Sequence, residues 1–361
     1  MEIYISFILL SFCCLTISFK AKKSHNLLVF YTFLYLSALF LILLSGLRSY
    51  SVGHDSGTYV QIFQSNIELN NVIERWNSAN EAGFALLNYL AHYFSDNYIA
   101  IFIFNAFIVT CCYFYGVFKV SATPFLSIII LVLIGPFLFH LNGARQGIAL
   151  SIFFISFIYI RDKNFTKYFI SVMIGALFHK TILLTLPLYF LFTRKLNFKS
   201  YFIITLCFIF VLVIFDDLIA MATQVDDRYK TYGDEVKSAG GVLTSIFYLF
   251  LFCWFVICKK VNTIKNKIYD LALAIFFVGV LISLISFIMK LNPSGILRMS
   301  IYFTQFSALL IPISIFSFKN KNIKALLIFF FIVLMSLYFY LTTTNFSHLV
   351  PYRFNPILTL F

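Results

Sequence analysis

The run LLVFYTFLYLSALFLILLSGL, residues 27–47, leads directly into Arg48-Ser-Tyr-Ser-Val-Gly-His-Asp-Ser-Gly-Thr-Tyr59. An uncharged helix of this length covers roughly 30 Å, the thickness of a bilayer's hydrocarbon core. The residues that follow change character at once: Arg48, His54, Asp55 and Tyr59 lie among glycines and hydroxyls. The run reads as a transmembrane helix. The polar stretch reads as a cluster of ionisable groups emerging where the lipid ends.

Working outward, the same alternation recurs along the whole chain. Further apolar runs lie near residues 3–19, 97–118, 124–139, 144–160, 200–215, 242–258, 268–289, 298–317 and 325–341. The segment 166–193 is too long for one simple helix and is read as a helical hairpin interrupted by His179-Lys180. The sum is an all-α, polytopic integral membrane protein with about twelve membrane segments in a single transmembrane domain, residues 1–361. Composition agrees: the chain is 61% hydrophobic and only 11% charged, which excludes a soluble domain with a polar surface.

Charge supplies an orientation. Lys20, Lys22, Lys23, Lys119, Arg161, Lys163, Lys167, Arg194, Lys195, Lys199, Lys259, Lys260, Lys265, Lys267, Lys319, Lys321 and Lys324 fall in alternate loops, which are then the cytoplasmic ones. The net charge of +13 is therefore a signature of topology. No continuous phosphate-binding groove forms from loops separated by lipid-spanning helices, so no nucleic acid is expected as a partner. Both termini, an external loop over 48–96 and another over 216–240 fall on the opposite side. In the first of these loops Phe84, Leu87, Leu90, Ala91 and Phe94 follow helical spacing and predict an amphipathic helix on the membrane surface. Glu2 stands where a cleavable signal would carry basic residues, so none is expected. All seven cysteines lie in apolar runs, as small packing residues rather than disulfide or metal partners.

Ionisable groups at membrane depth cost roughly 2.5–3.5 kcal/mol each, so they point to function. Arg145 opens an apolar run beside Asn142 and Gln146, with Gly143 and Gly147 allowing a neighbouring helix to come close. Its planar fork suits a phosphate or carboxylate. His179, with Lys180 beside it and Pro187 beyond, interrupts an apolar stretch and could act as a general base in a water-filled cavity. Arg298, with Tyr302 one turn on, begins another run and could equally be a helix-end anchor. The loop over 216–240 carries Asp216-Asp217, Asp226-Asp227, Arg228, Tyr229 and Tyr232. Its acids are the solvated groups of an outer loop more readily than ligands for a hard cation, and no metal or cofactor is expected.

The ordered set of Arg48 with Gly53-His54-Asp55 and Tyr59, Glu81-Ala-Gly-Phe84 with Asn88, Arg145-Gln146 with Ala149, His179-Lys180 with Pro187-Leu188-Tyr189, Arg228-Tyr229 with Tyr232, Arg298 with Tyr302-Phe303, and Val350-Pro351-Tyr352 resembles the EpsG-like/Wzy family of bacterial O-antigen and exopolysaccharide polymerases. Each motif is short, and the resemblance rests on their order and topology. It implies a multi-pass protein of the bacterial inner membrane, with a GT-C-like helical bundle as one arrangement. Its active site would face the periplasm and transfer a glycan from undecaprenyl pyrophosphate to a new lipid-linked repeat unit. Arg145 and Arg298 would stabilise the leaving pyrophosphate. His179 would be the base, with Asp55 its competitor. Arg48, His54, Tyr59, Glu81, Gln146, Lys180, Arg228, Tyr229, Tyr232 and Tyr302 would hold substrate. The partners implied are the undecaprenyl-pyrophosphate-linked oligosaccharide, the bilayer and a Wzz-like chain-length regulator. The rival readings are an O-antigen ligase, which shares the chemistry, a lipid-linked sugar flippase and a membrane O-acyltransferase.

Overall fold

The computed structural model describes residues 1–65, 68–77, 81–194, 198–214, 217, 220–221, 223–224, 241–345 and 347–359. Among these the chain is helical. An isolated antiparallel bridge joins Arg48 and Phe354. Among the described residues eight helices are long and apolar enough to cross a bilayer, or nine if a pair bent by 42° across Gln305 and Phe306 counts as one span. The count of about twelve expected from sequence is not confirmed among the described residues. The helix Phe198–Val213 has 16 residues, about 24 Å and short of the hydrocarbon core. The stretch 166–193 breaks into a 12-residue helix, a 3₁₀ turn and a five-residue helix.

The chain forms two compact units, each with its own packing. The first holds residues 1–158, 166–183 and 329–361. It opens with α1 (Glu2–Lys23) and α2 (Leu27–Gly46). Lys20, Lys22 and Lys23 sit in the last turn of α1, where a helix dipole favours cations. His25 takes a left-handed conformation, and the Asn26 side chain then caps α2 by accepting from the Val29 N–H. With no hydrophobic effect between helices in lipid, polar contacts and close packing hold the pair. Ser11 Oγ meets Ser37 Oγ at 2.8 Å, and Ser18 Oγ donates to the Phe30 carbonyl.

After the loop that follows α2 come α3 (Ser56–Ser65), α4 (Leu69–Asn77) and α5 (Ala82–Phe94). On α5, Phe84, Leu87, Asn88 and Ala91 are buried, whereas Leu90 and Phe94 face outward. Helix α6 (Ile99–Val120) packs on α2 with Gly46 against Ile103, where a methyl group would not fit. Helix α7 (Pro124–Leu133) gives way at Gly135, φ +98°, to a 3₁₀ turn at Leu138–Leu141. The chain then enters α8 (Ala144–Arg161) and α9 (Phe165–Ala176).

The second unit holds residues 159–165 and 184–328. It contains α10 (Leu188–Phe192), α11 (Phe198–Val213), α12 (Val242–Val261) and α13 (Lys267–Ile288). The bent pair α14 (Arg298–Thr304) and α15 (Ser307–Phe316) follows, and then the start of α16 (Lys321–Asn345). Gly279 of α13 lets α14 approach until a methyl group there would strike Thr304 and Phe303. Ser245 donates to the Ser283 carbonyl, Tyr269 to the Phe255 carbonyl, and Lys259 pairs with Asp270 at 2.7 Å. All seven cysteines are free.

Candidate active site

Three helix ends meet in the first unit. α9 stops at Ala176, so the Leu177 carbonyl has no helical partner ahead of it. It accepts instead from the Gly83 N–H at 2.9 Å, at the start of α5. Glycine is needed there: a Cβ on Gly83 would sit 2.9 Å from that of Leu177. The contact brings His179, just past the break, to the residue preceding α5, which is Glu81. Glu81 holds a left-handed backbone conformation, φ 54°, as a non-glycine residue. Such strain costs about 1–3 kcal/mol and persists where the surroundings over-determine it.

The surroundings here are two hydrogen-bonding partners, one of them an arginine. Glu81 Oε1 accepts from His179 Nδ1 at 2.9 Å, and Oε2 is ion-paired with Nη1 of Arg145, the second residue of α8. The carboxylate is 3% exposed, and its partners are 18% and 20% exposed. An almost dry anion is thus shared by two groups that still reach the surface. Its charge also favours the N-terminal end of α8, where an arginine alone would oppose the helix dipole. Tyr59 of α3 lies beneath, its ring 5.8 Å from the Arg145 guanidinium carbon and edge-on to Phe84. A carboxylate can only accept, so Nδ1 of the neutral imidazole carries the proton and Nε2 holds the lone pair. The arrangement can take a proton and can face a developing negative charge.

The loop after α2 is fastened beside this cluster. Gly53, φ +96°, donates to the His348 carbonyl, and the His54 N–H donates to Asn142 Oδ1 at 2.8 Å. Ser56 Oγ reaches the Leu141 carbonyl at 3.1 Å. Residues 347–355 lace across the same loop: Ser49 N–H donates to the Arg353 carbonyl and Asn355 N–H to the Leu47 carbonyl. Tyr352 and Tyr4 donate their hydroxyls to the Leu44 and Leu349 carbonyls.

The site residues named from sequence separate into groups. Tyr59, Glu81, Arg145 and His179 come together, with Gln146 buried beside Arg145 and Lys180 half-buried at the start of the 3₁₀ turn Lys180–Thr185. His54 is exposed, its ring 5.5 Å from that of His348, and Asp55 is half-buried ahead of α3. Arg48, expected to grip substrate, is instead 1% exposed. Its guanidinium bonds the Ser45 and Leu141 carbonyls and lies 3.8 Å from the Phe102 ring. Burial pulls its pKa down to about 10, against the opposing pull of Tyr4 and Tyr352, and it stays charged at neutral pH. It braces the loop. Arg298 and Tyr302 belong to the second unit, half-buried and buried respectively. Arg228, Tyr229 and Tyr232, with Asp216, Asp226 and Asp227, lie outside the described residues.

What the sequence did not disclose is the part Glu81 plays. The motif Glu81-Ala-Gly-Phe84 marked it only as a substrate contact. The contributions of His348, Arg353 and Asn355 are largely made by backbone and leave no side-chain signature.

No curated protein and no solved structure matches the chain. The sequence profile of the EpsG family matches residues 31–354, nearly the whole chain and every helix that builds the cluster. The chain belongs to the EpsG family, a family of polysaccharide-polymerase-type membrane proteins.

Proposed function

We propose that the protein is a glycosyltransferase that polymerises oligosaccharide repeat units. The growing glycan moves from undecaprenyl pyrophosphate to the non-reducing end of a new lipid-linked unit at the periplasmic face of the bacterial inner membrane. The observation that carries the reading is the Glu81 carboxylate shared by His179 and Arg145. In the reaction an acceptor hydroxyl attacks the donor's anomeric carbon. The new C–O bond forms as the bond to pyrophosphate breaks, the hydroxyl proton passes to His179 Nε2, and undecaprenyl pyrophosphate leaves. Glu81 holds the imidazole in the tautomer that can accept that proton. Arg145 supplies fixed positive charge toward the departing pyrophosphate, the kind of preorganised group whose loss costs on the order of 10²–10³ in rate. Tyr59 sets the guanidinium from below. Asp55, His54, Gln146 and Lys180 are assigned to substrate, with Arg298, Tyr302, Arg228, Tyr229 and Tyr232 as further contacts and a Wzz-like chain-length regulator as partner.

Deleting the gene and profiling cell-surface glycan tests this. Single-repeat chains are the expected result. A lipid core wholly without polysaccharide would indicate a ligase, and full-length chains lacking acyl groups an acyltransferase. Restoring the gene as His179→Ala or Arg145→Ala should leave single-repeat product with normal protein level. Long chains from either variant would remove that residue from the mechanism.

A further inference from the structure

Arg145 is steered by the four residues before it. The junction Leu141–Ala144 joins the 3₁₀ turn to α8 and is gripped at several points. Its first carbonyl, Leu141, takes bonds from Arg48 and from Ser56 Oγ. Asn142 Oδ1 takes the His54 N–H. Its last carbonyl, Ala144, takes a bond at 3.1 Å from Nδ2 of Asn105 on α6. Asn105 is 2% exposed and stands nearly two turns inside a mostly apolar helix, about 9 Å from its start. An amide at that depth is expensive, and packing alone would be served by leucine. Phe102, three residues earlier and so on the same face, carries the Arg48 guanidinium. One face of α6 therefore addresses both ends of the junction. A carbonyl oxygen has two lone pairs, so Asn105 can hold Ala144 without displacing the helix's own bond there.

We propose that Asn105 is a positioning residue: by holding the Ala144 carbonyl it fixes the first turn of α8, and so the line along which Arg145 meets Glu81 and the substrate's anionic group. The inference rests on the catalytic part proposed above for Arg145. Asn105 needs no contact with substrate. Its effect falls on turnover, because a displacement of about 1 Å in a charged group near the reacting atoms can cost on the order of a hundredfold.

The test uses the full-length protein in lipid nanodiscs, with two readouts. Hydrogen exchange is followed by mass spectrometry over residues 141–148, and polymerisation is measured with a defined undecaprenyl-pyrophosphate-linked repeat unit. Asn105→Leu, and Asn105→Ala should the larger side chain impair folding, should speed exchange in 141–148 and lower kcat about tenfold or more, with KM within about twofold. Asn105→Gln, which keeps the donor, should recover part of the turnover. Thr110→Val, a polar-to-apolar change further along α6, should alter neither readout. Unchanged exchange in the Asn105 variants overturns the inference. So does faster exchange with unaltered kcat. A wild-type protein that makes no polymer from its repeat unit would defeat the proposed function, while the exchange measurement would still decide whether Asn105 holds the junction.

Discussion

At the scale of single residues, the centre of the site is a carboxylate divided between two partners. Glu81→Gln keeps the shape and removes the charge, so the fold should survive while polymer formation falls by about 10²-fold or more. Gel profiles of surface glycan beside a blot for protein level would show it. Glu81→Asp is the sharper probe. One methylene shorter, it cannot reach Arg145 and His179 together, and normal chain length in this variant would refute the shared-anion arrangement. Glycines give a paired prediction on stability. At Gly53, φ +96°, a methyl group would lie 2.6 Å from the Leu141 oxygen, whereas at Gly57 it would meet nothing within 4 Å. Gly53→Ala should therefore destabilise by about 1–3 kcal/mol. Gly57→Ala, inside α3, should be neutral or stabilise by about 0.5–1 kcal/mol. Thermal melts in detergent compare the two. Arg145 and His179 were legible in the sequence because a charge inside an apolar run is conspicuous. The part played by Glu81 was not, because its partners lie 64 and 98 residues away and an acid before a helix has many uses.

At the scale of elements, runs of about twenty apolar residues announced the long helices and placed most of them well. Two breaks carry visible marks, Gly135-Pro136 after α7 and His179-Lys180 after α9, yet the apolar run through 124–139 reads as one helix across the first of them. α7 ends inside the apolar segment Pro124–Leu141, and α9 ends at Ala176, two residues short of Phe178. These two interruptions are the ones that deliver Arg145 and His179. A helix carried through either point would have aimed the Leu177 and Leu141 carbonyls along its own axis rather than at Gly83, Arg48 and Ser56. The segment 347–355 is the other element invisible in advance, since much of its hold on the loop after α2 is backbone to backbone. Ending the chain after Asn345 should free residues 48–56, and limited proteolysis would find new cleavage there together with loss of polymer. Tyr352→Phe is the milder form, removing one buried hydrogen bond worth about 0.5–1.5 kcal/mol.

At the scale of the whole molecule, lysines and apolar runs together predict a sidedness that reporter fusions can check. A fusion in the turn between α1 and α2, at Ser24, should report the cytoplasm, and one at Tyr50 the opposite side. The reverse result would place the Glu81 cluster away from the periplasm and end the reading of its substrate. The prediction comes from sequence alone because sidedness is written in charges, which do not depend on which helices touch. It could not supply the count of spans, which turns on helix lengths of a few residues more or less. One further consequence concerns how the protein is made. Tyr352 bonds the Leu44 carbonyl across 308 residues of chain, and Leu349 bonds Tyr4 across 345. At synthesis rates of about 5–20 residues per second, the loop after α2 is delivered to the membrane roughly 15–60 s before the segment that fastens it. A ribosome-bound chain thus carries α2 and α3 with their connecting loop unfastened until residues 347–355 have emerged.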